Sequence, residues 1–373
     1  MQRTGLGGIS PFDTRTRPNA FTPLSADNTI YSKGESMIWL QFQPCPCSPQ
    51  DRVPDCRVKG CYDGYIRSTP EKVLMKEEVA WKQDGNDVFT RYTPIHSIDR
   101  IFVGDDKGGT PLTVRQVHDD HVTVAEHLKF WYQVNIDYWV KMGEEEFFEI
   151  EGQNERRLTL PVVSKGKIIL EVFEVFQDGK PLKWLGHTFD SIMFADRITG
   201  TIRGKIKTFS SIKVGYKTSK HEARETQQTG IKFNAGDVDV VPPSYINFGE
   251  GDIITTLYNQ NRVSQYVPAR LGEYDRLTHS PIARVTNCFS RKNGEIIQHY
   301  EGDDFVIVGY DRIQWLQSKP TDGYSIMYDY HPSFRITSVV EGGGAEDRTK
   351  PRMFKAKVIS SYNSLQPTNT VSR

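Results

Sequence analysis

Between Ile282 and Ser338 the chain changes character every few residues, and that rhythm limits what it can fold into. Ile282-Ala283-Arg284-Val285-Thr286-Asn287 leads to a turn at Lys292-Asn293-Gly294. Phe305-Val306-Ile307-Val308 and Arg312-Ile313-Gln314-Trp315-Leu316 follow. After Pro320-Thr321-Asp322-Gly323 comes Tyr324-Ser325-Ile326-Met327-Tyr328-Asp329-Tyr330. Short runs rich in Val, Ile, Tyr and Phe, alternating apolar with polar and punctuated by Asn-Gly and Asp-Gly, specify antiparallel strands joined by tight turns. The stretch reads as a small sandwich or barrel module. It contains no evident set of nucleophile, base and orienting group.

The cadence has an earlier echo. Val172–Phe176, a turn at Asp178-Gly179-Lys180-Pro181, Asp196-Arg197-Ile198 and Ile212–Tyr216 follow the same order. Asp-Arg-Ile stands at 196–198 and again at 311–313, each time ahead of a closing strand that ends on tyrosine. A weaker third copy runs through Ser97–Ile101, Val122–Val124 and Tyr132–Tyr138. Repeated β units point to a modular or assembly protein, although any all-β chain produces some echoes by chance.

The expected fold is mainly β: tandem sandwich-like or barrel-like modules, a small N-terminal zinc-ribbon-like segment and extended termini. Residues 1–36 read as an extended arm and 37–70 as the cysteine-rich segment. Residues 71–150 and 151–219 read as β modules, and 220–281 as a linker with a partner-contacting β segment. Residues 282–340 form the last module, and 341–373 a C-terminal strand and tail. Within this plan, 71–82 fits either a strand or a short helix. Glu144-Glu145-Glu146 reads as a solvated turn and 151–157 as a polar link.

A chain of 373 residues can hold two or three domains. Lys plus Arg equals Asp plus Glu, 47 each, so global charge leaves no footprint for nucleic acid or a membrane surface. No apolar run approaches the roughly 18 residues of a membrane helix. The opening Met1-Gln2-Arg3-Thr4-Gly5 lacks a signal-peptide core. The expectation is a protein that stays in the cytoplasm or in particles assembled there.

Local chemistry concentrates in one segment. Cys45-Pro46-Cys47, Cys56 and Cys61 place four thiols close together, ahead of Gly64-Tyr65-Ile66. In a reducing compartment such thiolates suit a tetrahedral, structural zinc ion with no open position for catalysis. Two disulfides, or a ribbon that has lost its metal, are the other readings. Cys288 falls on an expected strand as a buried thiol.

These pieces resemble structural proteins of tailed-bacteriophage virions, of the neck, collar or head–tail connector type. The resemblance lies in three places: Cys45-Pro46-Cys47 through Gly64-Tyr65-Ile66; Gly251-Asp252-Ile253-Ile254-Thr255 with Arg270 to Leu277; and Gly302-Asp303-Asp304-Phe305 through Trp315 to Tyr330. In the family's cysteine segment the last pair is spaced Cys-x2-Cys, whereas here four residues separate Cys56 from Cys61. The resemblance covers roughly 37–66 and 236–340. It implies a virion component assembled in the host cytoplasm, in a homo-oligomeric ring or radial array that contacts portal, connector or tail proteins. It implies no enzyme, no membrane partner and no sequence-specific nucleic acid.

Three rivals remain at this stage. A tail or baseplate protein is the nearest. A zinc-ribbon nucleic-acid binder would use Arg52, Arg57, Lys59 and Arg67 with Tyr62 and Tyr65, but Asp51, Asp55 and Asp63 offset that charge. A hydrolase would need His118-Asp119-Asp120-His121, which reads more simply as a turn between strands.

Overall fold

The computed structural model describes residues 23–46, 61–62, 65–80, 85–104, 109–129, 132–218, 238–243, 246–269, 272, 274–340 and 352–359. The chain is mainly β, with several sheets and a small six-stranded barrel. Among the described residues no helix is long and apolar enough to cross a membrane.

The barrel closes in the order Ile212–Thr218, Val238–Val241, Met353–Val358, Ser333–Val340, Ile253–Thr256 and Glu35–Leu40, every pairing antiparallel. Met37, Val214, Val240, Ile254, Ile336 and Phe354 are among the residues of its core. Closure leaves the barrel without a free edge. Two of its strands, Glu35–Leu40 and Ile253–Thr256, are buried almost throughout. The consecutive apolar residues Met37–Leu40 and Ile253-Ile254 reflect burial on both faces.

The barrel strands come from distant parts of the sequence, and the intervening chain makes two large excursions. The first, from 41 to 211, builds three larger sheets. Lys72–Ala80, Gln133–Lys141, Ile95–Val103 and Thr110–Pro111 form one. Val114–Val117, His121–Leu128 and Gly85–Phe89 form a second, whose Val88, Val122 and Val124 share a core with Ile136 and Tyr138 of the first. Gly143–Thr159, Ser191–Ser210, Lys167–Gln177 and Lys180–Pro181 form the third, around Val172, Val175, Ile192, Phe194 and Ile202. The second excursion, from 257 to 332, packs two sheets around Phe305, Ile307, Ile313, Tyr324, Ile326 and Tyr328. Met193 reaches into that core from the long strand Ser191–Ser210. Buried His187, Phe189, Tyr310 and His331 join the two excursions, and the Tyr310 hydroxyl donates to the Ile169 carbonyl at 2.8 Å.

Local turn chemistry sits where the sequence put it. Asp178 and Gly179 (φ 49° and 80°), and Asn293 and Gly294 (φ 53° and 89°), are left-handed pairs closing two-residue hairpins. Such turns match the twist of antiparallel strands. Residues 72–80 are a strand, which settles that ambiguity.

Several expectations are corrected. Pro23–Lys33 is an α-helix with Ile30 buried, so the arm expected over 1–36 reaches residue 22 at most; residues 1–22 lie outside the described part. The expected modules 37–70, 220–281 and 282–340 each give strands to the shared barrel, because closure recruits edges wherever the chain supplies them. Glu144–Glu146 and 151–157 are neither turn nor link but parts of one 17-residue strand, in which most carboxylates meet cations. The two Asp-Arg-Ile segments are not equivalent: 196–198 lies inside Ser191–Ser210, whereas Asp311 precedes the short strand Arg312–Trp315.

One buried carboxyl makes a measurable consequence. Burial pushes Glu77 up to about 7, against a hydrogen bond from the Arg91 amide (2.9 Å) and the Arg91 charge. The unfolded chain ionises this group near 4.5, so between about 4.5 and 7 the unfolded state binds fewer protons and stability falls as pH rises. Buried His187 and His331, both pulled down to about 4, act in the opposite sense below 6.5. The readout is therefore a difference. Relative to the wild type, Glu77→Gln is expected to lose a stability decline on the order of 3 kcal/mol between pH 4.5 and 7, measured by urea unfolding across that range.

Candidate functional site

The cysteine segment begins with a three-stranded sheet in which Tyr65–Arg67 is central. On one side Phe42, Gln43 and Pro44 pair with Arg67, Ile66 and Tyr65, and Cys45 follows, buried. On the other side Cys61 and Tyr62 pair with Ile66 and Tyr65. Folding thus brings the stem of Cys45 and the strand of Cys61 onto one small sheet. Cys45 and Cys61 thereby flank opposite sides of the central strand. Cys47 and Cys56, with the side chain of Cys61, lie outside the described residues. Among the described residues, no group of three or more His, Cys, Asp or Glu side chains stands close enough to hold a metal. Cys288 is fully buried on Ile282–Lys292, and burial pushes its thiol up to about 12, well away from reactivity.

The cysteine segment is tied to the barrel through Gly251-Asp252. The Asp252 carboxylate accepts the Trp39 indole N–H (2.8 Å), the Phe42 amide (3.0 Å) and the Gly249 amide (2.8 Å). Its burial raises the pKa, and these three donors oppose the rise. Gly251 has φ +92°, and a Cβ there would stand 2.5 Å from the Tyr65 ring, so only glycine fits both demands. The Gly251 amide donates to Ile336 of the barrel at 2.9 Å. The Gly-Asp motif is therefore a structural latch.

His118–His121 forms the expected turn between Val114–Val117 and His121–Leu128. The two imidazoles stack with centroids 4.1 Å apart, and His121 Nδ1 lies 2.7 Å from Asp120 Oδ1. That bond holds the exposed Asp120 carboxyl below its usual range. The groups satisfy one another at an exposed strand turn.

A cavity of about 390 Å³ opens where the third sheet meets the C-terminal sandwich. Glu155, Arg156, Arg157, Met193, Arg197, Glu301, Gly302, Asp303 and Val306 line it. Arg157 donates to Ser191 Oγ (2.9 Å), Glu301 (3.1 Å), Asp190 (3.3 Å) and the Ala283 carbonyl (3.3 Å). Arg156 bonds the Gly302 carbonyl at 2.6 Å, and Arg197 pairs with Asp303. Burial pushes Glu301 up despite Arg157. The pairing makes this a charge-matched joint between two β units. It escaped the sequence reading because its two halves lie over 100 residues apart.

The surface feature with the greatest reach is the strand Gly143–Thr159. Among the described residues it pairs only with Ser191–Ser210, and no described strand lies along its other side. Seventeen residues is about three times the usual strand length. Edges in monomers are normally short or covered, because open N–H and C=O groups template further pairing.

No protein-family model matches the chain, and no curated protein matches its sequence.

The latch has a direct test. Asp252→Ala leaves three buried or half-buried donors without their acceptor. It is expected to cost about 3 kcal/mol in urea unfolding followed by tryptophan fluorescence, with Asp252→Asn recovering part of the loss.

Proposed function

We propose that this chain is a structural subunit of a tailed-bacteriophage virion, placed in the neck as a collar, adaptor or head–tail connector component. The observation that carries this reading is the 17-residue strand Gly143–Thr159, whose outer edge no described strand covers. An edge of that length is a hazard in a lone subunit and an asset where a neighbour completes it. The sequence resemblance supplies the virion and the neck. The charge-matched joint and the barrel hub fit a subunit whose β units keep a fixed relation under load.

In this reading Cys45, Cys47, Cys56 and Cys61 hold one zinc ion that pins the N-terminal segment, and the ion's role is structural. Elemental analysis is expected to find one zinc per chain, and chelation is expected to lower the thermal midpoint. Absence of zinc, with the thiols free or joined in disulfides, removes the metal and leaves the assembly reading standing.

Assembly is tested on particles. Purified virions from the phage that encodes the chain are expected to contain it in fixed stoichiometry. Deleting residues 1–22, ahead of the helix Pro23–Lys33, is expected to leave the far-UV circular dichroism unchanged and to reduce incorporation at least tenfold. Equal incorporation of the truncated chain ends the role given to the arm. Absence of the full-length chain from particles ends the virion assignment.

A further inference from the structure

The open edge of Gly143–Thr159 carries a patterned row of side chains. From Gly143↔Phe209 to Gln153↔Thr199 the pairing with the inner strand is regular, with no bulge. Along that span Glu145, Phe147, Glu149 and Glu151 share one exposed face, as the two-residue period requires. Phe147 is 78% exposed, more than any other large apolar side chain among the described residues. The inner strand matches this row from one side: Lys205 pairs with Glu145 and lies over the rings of Phe147 and Phe173, Arg203 pairs with Glu149, and the Thr201 hydroxyl donates to Glu151. On the outer side no described strand supplies such a partner.

A second copy of the same strand is a poor occupant. Antiparallel self-pairing centred on Phe147 sets Glu145 against Glu149, and centring on Phe148 sets Glu145 against Glu151. Like charges directly opposite one another are destabilising. A nucleic-acid backbone meets the same repulsion. The edge offers main-chain hydrogen bonds to any strand, while its side chains reward one kind of partner.

We propose that this edge is a docking site for an extended polypeptide segment that adds as a further strand and carries Lys or Arg at every second position. The basic residues extend the ladder at Glu145, Glu149 and Glu151. Phe147, held by Lys205 on its inner side, receives the aliphatic stem of a second cation or an apolar side chain on its outer side. The proposal rests on the assembly reading for the partner's place in a particle. The chemistry of the segment follows from the edge itself.

The inner strand provides the probe. A synthetic peptide copying Thr201–Phe209 carries Arg203, Lys205 and Lys207 at the required period. It is titrated into the full-length protein beside a peptide with glutamate at those three positions and a single-stranded DNA oligonucleotide. The expected result is binding of the basic peptide alone, weakened at least tenfold by raising salt from 0.05 to 0.5 M and slowing amide exchange within residues 143–153. Glu145→Gln/Glu149→Gln and, separately, Phe147→Ala are each expected to weaken binding at least fivefold with an unchanged circular dichroism spectrum. Equal affinity for the acidic peptide, binding of the DNA in competition, no binding of the basic peptide, or protection confined to other residues overturns the proposal. If the peptide binds this edge and the chain is missing from particles, the virion reading falls and the docking site stands. If the chain is in particles and the peptide does not bind, the docking site falls alone.

Discussion

The Asp252 carboxylate gathers donors from two stretches separated by more than 200 residues, and the barrel depends on that convergence. Trp39 lies in Glu35–Leu40 and Phe42 just beyond it, while Gly249 precedes Ile253–Thr256. These two barrel strands pair directly, Leu40 with Ile253 and Met37 with Thr256. A buried carboxylate is costly unless its lone pairs are met, and here three N–H groups meet them. The latch also fixes where the chain departs for the cysteine segment. Tyr65 from that segment packs on Gly251, where a side chain would not fit.

Around this point the molecule is organised as a hub with two excursions. Because the barrel closes only when strands from both ends of the chain have arrived, its contacts are non-local and entropically expensive to form. Besides Met193 in the core of the second excursion, two kinds of contact hold the excursions to each other. One is aromatic and buried, with Tyr310 against His187 and Phe189 and with His331 beside Phe189. The other is ionic, where Arg156, Arg157 and Arg197 meet the loop at 301–303. Partly buried pairs of this kind favour one docking geometry over others, since a shifted register leaves charges unanswered.

The third sheet shows how composition can mislead. Gly143–Thr159 is dense in glutamate and resembles a solvated loop when read alone. Paired with Ser191–Ser210, its acids lie across from Arg203, Lys205 and Lys207, and Lys167 reaches Glu144 and Glu146 on the opposite face. Phe148 and Ile150 turn to the core of the third sheet, and a strand so rich in charge is specified by its partner as much as by its own pattern.

The amino-acid sequence by itself determined the mainly β class, most strands of the 282–330 region and the hairpins at Asp178-Gly179 and Asn293-Gly294. These rest on a two-residue period and on left-handed turn conformations, both local properties. It also marked Cys45 and Cys61 as chemistry of interest, and folding set their strands on the two sides of Tyr65–Arg67. Only the tertiary structure decided which strands close the barrel, that the two Asp-Arg-Ile segments sit in different settings, that Asp252 is a latch and that no described strand covers the outer side of Gly143–Thr159. Each of those depends on a partner far away in sequence. Strand pairing, the cancellation of charge and the satisfaction of a buried carboxylate are properties of two segments brought together, and no single stretch of sequence carries them.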